Sequence, residues 1–98
     1  MINDKTISVI VPAYNEEFLI KKTIDSIPNT VEKIIIINDS SLDKTQEIVE
    51  NEMSINSKIV LINHEKNMGV GAALTSGYQE SLDLDIDITV VMPGDAQA

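Results

Sequence analysis

The sequence predicts a parallel α/β fold: a small sheet covered on both faces by helices, running β-α-β-α-β-α-β. Two observations carry the prediction. Four short runs rich in β-branched residues are almost continuously apolar, as strands buried on both faces are. The segments between them place apolar residues at helical spacing and have the length a right-handed crossover needs. At 98 residues and 43% hydrophobic content, the chain has room for one core, so residues 1–98 read as a single domain.

The first strand is predicted over residues 7–11, Ile7-Ser8-Val9-Ile10-Val11. A helix follows over residues 16–27, because Ile20, Ile24 and Ile27 fall at i, i+4 and i+7 and Pro28 closes the segment. The second strand is residues 33–37. Next, Asp43 is a predicted N-cap, with Gln46 three residues later completing a capping-box-like pair, and the helix runs to Met53. The third strand covers residues 58–62. Residues 70–82 form the third helix, since Val70, Ala73, Leu74, Gly77 and Tyr78 follow the amphipathic pattern and their small members predict close approach to the sheet. The last strand is residues 86–92, preceded by Asp83, Asp85 and Asp87, which read as a solvated turn.

Charge narrows the partners. Lys and Arg total 7, none of them Arg, against 16 Asp and Glu, a formal charge of −9 that argues against nucleic acid. Such a chain binds a diphosphate only if a metal ion or backbone N–H groups intervene. The absence of Cys removes thiolate nucleophiles and zinc–thiolate sites. No basic, then apolar leader opens the chain and no segment approaches a membrane span, so the expectation is a soluble, cytoplasmic chain. Asn38-Asp39-Ser40 has the form of a glycosylation sequon, but its place at a strand end gives it little weight.

Ligands of open parallel sheets bind beyond the carboxyl ends of the strands. Here those ends are Pro12-Ala13-Tyr14-Asn15-Glu16-Glu17, Asn38-Asp39-Ser40-Ser41, Asn67-Met68-Gly69-Val70-Gly71 and Pro93-Gly94-Asp95-Ala96-Gln97, all polar or rich in Gly and Pro. Pro12 is expected to bend the chain at its strand end, leaving Tyr14 as a flat face and Glu16 as an acceptor at a helix start. A strand-to-helix turn capped by Asn15 or Glu16 explains the same residues structurally. Asp39 can accept the imide N–H of uracil or bond a guanine edge, or serve as a turn-stabilising Asx residue. Gly69-Val70-Gly71 is not a dinucleotide fingerprint, because Leu74 stands where a third Gly or Ala belongs and the segment does not follow the first strand. It reads instead as a loop letting backbone approach a phosphate at a helix N-terminus. Lys66 and Asn67 can add contacts. His64 reads as a surface or loop residue without a catalytic role.

In this order and spacing, these segments resemble the nucleotide-binding half of the family 2 glycosyltransferases, the GT-A group that includes dolichol-phosphate-mannose-synthase-like enzymes. The resemblance implies a Rossmann-like, three-layer half-domain that binds a nucleotide-diphosphate sugar through Pro12, Ala13, Tyr14, Glu16, Asp39, Asn67, Gly69, Gly71 and Asp95. It also implies Mg²⁺ or Mn²⁺. Where the family places Asp-x-Asp, this chain has Pro93-Gly94-Asp95, so Asp95 is the one candidate metal ligand. Where the family has Asp-Asp-Gly-Ser, it has Asn38-Asp39-Ser40-Ser41, and Ser40 in place of Gly is expected to alter the turn. The implied reaction is glycosyl transfer to an acceptor hydroxyl or lipid phosphate, inverting the anomeric centre, with a general base beyond the fourth strand. No catalytic residue is therefore expected within these 98 residues, which read as a truncated, self-associating donor domain of a longer form acting at a membrane. The alternatives are a non-catalytic nucleotide-binding or assembly module and a flavodoxin-like or receiver-like domain. A receiver would want paired acids where Pro12 to Glu16 stand.

Overall fold

The computed structural model describes residues 2–93. Seven elements alternate: β1 (Ile7–Ala13), α1 (Ile20–Asp25), β2 (Lys33–Asn38), α2 (Thr45–Met53), β3 (Ile59–Asn63), α3 (Val70–Asp83) and β4 (Ile88–Val91). All pairings are parallel, and the strand order is β3-β2-β1-β4. Placing β1 and β2 in the middle explains their unbroken apolar character, because both faces of both strands are covered.

The two-residue period of the strands divides the core. Ile7, Val9 and Val11 of β1 with Ile34 and Ile36 of β2 pack against Ile20 and Ile24 of α1 and Val49 of α2. Ile10, Ile35 and Ile37 face the other way, onto Ala73 of α3. Helix α3 lies close to the sheet: a Cβ added at Gly77 would stand 2.5 Å from Ile10 Cγ2, so only Gly fits. Nearby, Ser8 Oγ and Ser81 Oγ share a buried 2.8 Å hydrogen bond that pins α3 to β1.

Several boundaries differ from the sequence reading. Helix α1 is shorter than 16–27: residues 17–19 form a turn leading into it, and the N–H groups of Glu16 and Glu17 are taken by Thr45 Oγ1 (2.8 Å) and Asp43 Oδ2 (3.1 Å). Ile27 nonetheless packs against the core beyond the helix end. Pro12 does not bend the chain; β1 continues through it to Ala13. The carbonyl of Ile10 meets the Met92 N–H, and Pro12, two residues on, faces the same side beyond the end of β4, where a missing N–H costs no ladder bond. Asp43 accepts the Thr45 N–H at 2.9 Å as an N-cap would, but Gln46 pairs with Glu50 Oε2 at 3.3 Å, so the reciprocal half of the capping box is absent. Asp87 is a pin as well as a turn residue: its carboxylate accepts the Thr6 N–H (2.9 Å) and hydroxyl (3.0 Å).

Helix α3 closes in a Schellman turn, with Asp85 at φ 60° and the Ile86 N–H on the Ser81 carbonyl at 3.0 Å. Strand β4 is one edge of the sheet among the described residues, β3 being the other, and its Ile88, Val90 and Val91 are exposed, the feature an association surface would use. Among the described residues no helix is long and apolar enough to cross a membrane.

Candidate functional site

Parallel strands bring the segments after β1, β2 and β3 to one rim, and hydrogen bonds lace them together. The Asp39 N–H donates to the Ala13 carbonyl at 2.9 Å, continuing the β1–β2 ladder past the strand end. Asn15, at φ 53°, accepts the Leu42 N–H on its Oδ1 at 2.8 Å and donates its own N–H to Ser41 Oγ at 3.0 Å. Thr45 Oγ1 accepts the Glu16 N–H and donates its own hydroxyl hydrogen bond to Asp43 Oδ1 at 2.5 Å. Segment 12–17 is therefore fastened to turn 38–45 by both backbone and side chains.

Turn 38–41 is held from beneath. Asn38 is buried; its amide donates to Asn63 Oδ1 at 2.9 Å and its Oδ1 accepts the Ser41 N–H at 3.2 Å. Ser40 stands at φ 62°, so it adopts the left-handed conformation that the glycine of the family pattern would take more easily. The strain of that conformation falls on Ser40.

Asp39 is the centre of the arrangement. Only 5% exposed, it accepts three hydrogen bonds: His64 Nδ1 at 2.8 Å and the Met68 N–H at 2.9 Å on Oδ1, and the Gly69 N–H at 2.9 Å on Oδ2. Burial pushes its carboxyl pKa up, but the hydrogen bonds from His64, Met68 and Gly69 outweigh that and hold it below the usual carboxylate range. A carboxylate has about four acceptor positions, so roughly one, on Oδ2, remains for a ligand. The sequence offered Asp39 as a base-recognising group or a turn residue. In the fold it ties the loop before α3 to the end of β2.

That loop needs its glycine. Gly69 sits at φ 90°, ψ 166°, a region only Gly occupies readily. A side chain at Gly71 would meet nothing within 4 Å, so the fold does not require glycine there. Helix α3 begins at Val70 with no side-chain cap, leaving its first turn directed at the rim. Asn67 Oδ1 accepts the Gly69 N–H as well, at 3.2 Å.

The other expected site residues divide. Tyr14 is 43% exposed on the rim and free to offer its ring face. Ala13 is buried in the core cluster, so it reaches the site only through its backbone. Pro12 is a partly buried strand residue. The Glu16 carbonyl starts α1 by accepting the Leu19 and Ile20 N–H groups. Asp95, the candidate metal ligand, lies outside the described residues. Among those described, no three His, Asp or Glu side chains are grouped to hold a metal ion.

His64 corrects the sequence reading. Its side chain is 9% exposed rather than on the surface, and both ring nitrogens are engaged, Nδ1 with Asp39 and Nε2 with Ser76 Oγ at 2.9 Å. The signal was available in strand arithmetic. Asn38 and Asn63 are register partners of β2 and β3, so the residues that follow, Asp39 and His64, are neighbours too. Ser76 carried no such signal, because only the packing of α3 on the sheet brings it to the ring. Beside His64 an open cleft of about 530 Å³ is lined by Asn63, His64, Glu65, Lys66 and Met68.

Comparison with known proteins gives a consistent picture. The family model described as Glycosyl transferase family 2 matches residues 8–92. The chain is 36% identical to a UDP-N-acetylglucosamine–dolichyl-phosphate N-acetylglucosaminyltransferase of Methanococcus voltae, over 96% of this chain and 43% of that protein. It is 30% identical to a dolichol-phosphate mannosyltransferase of Pyrococcus furiosus, over 93% of this chain and 26% of that protein. The chain thus spans less than half the length of these curated relatives. Among solved structures, S. aureus TarS 1-349 in complex with UDP superposes with a TM-score of 0.78 at 25% identity, covering 92% of this chain and 27% of that one. The mannosyltransferase PcManGT of Pyrobaculum calidifontis, solved with GDP-Man and Mn²⁺, has a TM-score of 0.79 at 22% identity, over 93% of this chain and 28% of that one, a likeness of fold.

Proposed function

We propose that this chain, which belongs to glycosyl transferase family 2, binds the nucleotide diphosphate of an activated sugar along the rim formed by segments 12–16, 38–41 and 67–71. The observation that carries the reading is the Asp39 bridge. One buried carboxylate joins the end of β2 to the loop entering α3, so that a base-facing group and a phosphate-facing helix terminus are held in a fixed relation. Tyr14 supplies a face for the base or ribose, and the remaining acceptor position of Asp39 suits an imide or amino N–H. Backbone N–H groups at the start of α3 face the diphosphate. In a chain of charge −9 without Arg, they are a source of attraction that does not depend on side-chain cations.

The relatives named above support a UDP-linked donor and, for the whole protein, transfer to a dolichyl phosphate. Donor capture is the part assigned to these residues. A divalent ion, Mg²⁺ or Mn²⁺, would be held by Asp95 with donor phosphate oxygens and water, a set that hard cations accept. When bound, it neutralises the leaving diphosphate. Asp39→Ala and the exposed helical change Glu47→Ala test the reading by calorimetric titration with UDP and GDP. Asp39→Ala is expected to lose about 1–3 kcal/mol of binding and Glu47→Ala almost none. Equal losses would refute the role of Asp39.

A further inference from the structure

We propose that His64 is a positioning residue of the donor site, setting the course of loop 67–69 through Asp39; the proposal rests on the donor reading above. Among the described residues little else fixes this loop. Met68 is 55% exposed, Val70 is 66% exposed, and Gly69 has no side chain, so packing does not dictate where the backbone goes. What holds it are the Met68 and Gly69 N–H groups on Asp39, with Asn67 Oδ1 as a weaker local acceptor. Asp39 must therefore be both ionised and aimed.

His64 does the aiming. Its own N–H is fixed on the Asn38 carbonyl at 2.9 Å, so the ring springs from a rigid strand end. With Asp39 ionised, Nδ1 carries the proton and donates to Oδ1, leaving Nε2 to accept the Ser76 hydroxyl. Ser76 thereby sets the ring plane from α3, and His64 sets the carboxylate plane. The order Asp39, His64, Ser76 is that of a nucleophilic relay, but here the carboxylate spends its other bonds on the donor loop. That directs the chain of contacts toward backbone placement, away from activation of Ser76.

Two isosteric changes separate this role from simple packing. His64→Asn places an amide where Nδ1 stands and can still donate to Asp39; His64→Gln places one where Nε2 stands and serves Ser76 instead. In the full 98-residue chain, His64→Gln is expected to reduce both the hydrogen-exchange protection of the Met68 and Gly69 amides and the affinity for UDP or GDP by about tenfold. That is the loss due to one charge-assisted hydrogen bond. His64→Asn should keep both within about threefold of the unchanged chain, and the β2 amides should be unaffected in either variant. Long-range ¹H–¹⁵N spectra should place the ring proton of the unchanged protein on Nδ1. Equal behaviour of the Asn and Gln variants, or a proton on Nε2, would overturn the proposal. A chain that binds neither nucleotide yet loses Met68 and Gly69 protection on His64→Gln would sink the donor reading while upholding the hold of His64 on the loop. Intact protection in His64→Gln would sink the hold itself.

Discussion

Gly77→Ala is the sharpest probe of how α3 is set against the sheet. The added Cβ would lie 2.5 Å from Ile10 Cγ2, 2.9 Å from Cδ1 and 3.0 Å from Cγ1. Carbon atoms rest about 3.5–4.0 Å apart, so roughly 1 Å must open between helix and strand. Ile10 is fully buried and has nowhere to go, so α3 must move. Overpacking of this kind costs about 1–3 kcal/mol. The gain in helix propensity returns about 0.8–1 kcal/mol, leaving a net loss of up to about 2 kcal/mol in urea unfolding. Ile10→Ala removes all three contacted carbons. In that background Gly77→Ala is expected to be neutral or stabilising, giving a coupling of at least about 1 kcal/mol in a double-mutant cycle. Because the displaced helix carries Gly69 to Gly71 with it, nucleotide affinity should fall as well. Additive effects, or stabilisation by Gly77→Ala in the unchanged chain, would refute the close approach.

Two other substitutions separate fold from site. Gly71→Ala puts its methyl into open space, so stability should hold or rise by up to about 1 kcal/mol, while affinity for UDP or GDP drops because backbone approach is blocked. A thermal melt beside a titration reads both, and unchanged affinity would remove Gly71 from the site. Ser40→Gly relieves a left-handed residue at φ 62°. That strain costs about 1–2 kcal/mol, and the freer unfolded chain takes back about 0.4–1, for a net gain of up to about 1.5 kcal/mol. Destabilisation in urea would show that the serine side chain holds the turn.

The sheet was legible because its strands are covered on both faces. Residues such as Ile34 to Ile37 have no solvent side and leave an unbroken apolar run in the sequence. Helix α3 was legible from its period, and its closeness to the sheet from Gly77 and Ala73, but Val70 and Tyr78 of the same pattern are exposed and Ser81, which the pattern omits, is buried. Less legible was whatever depends on one element reaching another. The bonds that carry the Glu16 and Glu17 N–H groups to Thr45 and Asp43, 29 and 26 residues on, are of this kind. The site shows the same division. Asp39, Asn67 and Gly69 stood out by type and place, yet the bonds that join them are set by register and by a histidine that looked like a loop residue. Ala13 belonged to the recognisable segment and turned inward, since alternation along β1 points it at the core.

The most direct measurement is an amide NMR titration of the ¹⁵N-labelled chain with UDP and with GDP. Shift changes are expected to concentrate at Tyr14 to Glu16, Asp39 to Ser41 and Met68 to Gly71, the three segments joined by Asp39, Asn15 and Ser41. Binding is expected to be weak, with Met68 and Gly69 moving together because one carboxylate holds both. No shifts at millimolar nucleotide, or shifts confined to the exposed face of α2 or the β4 edge, would contradict the donor-rim account.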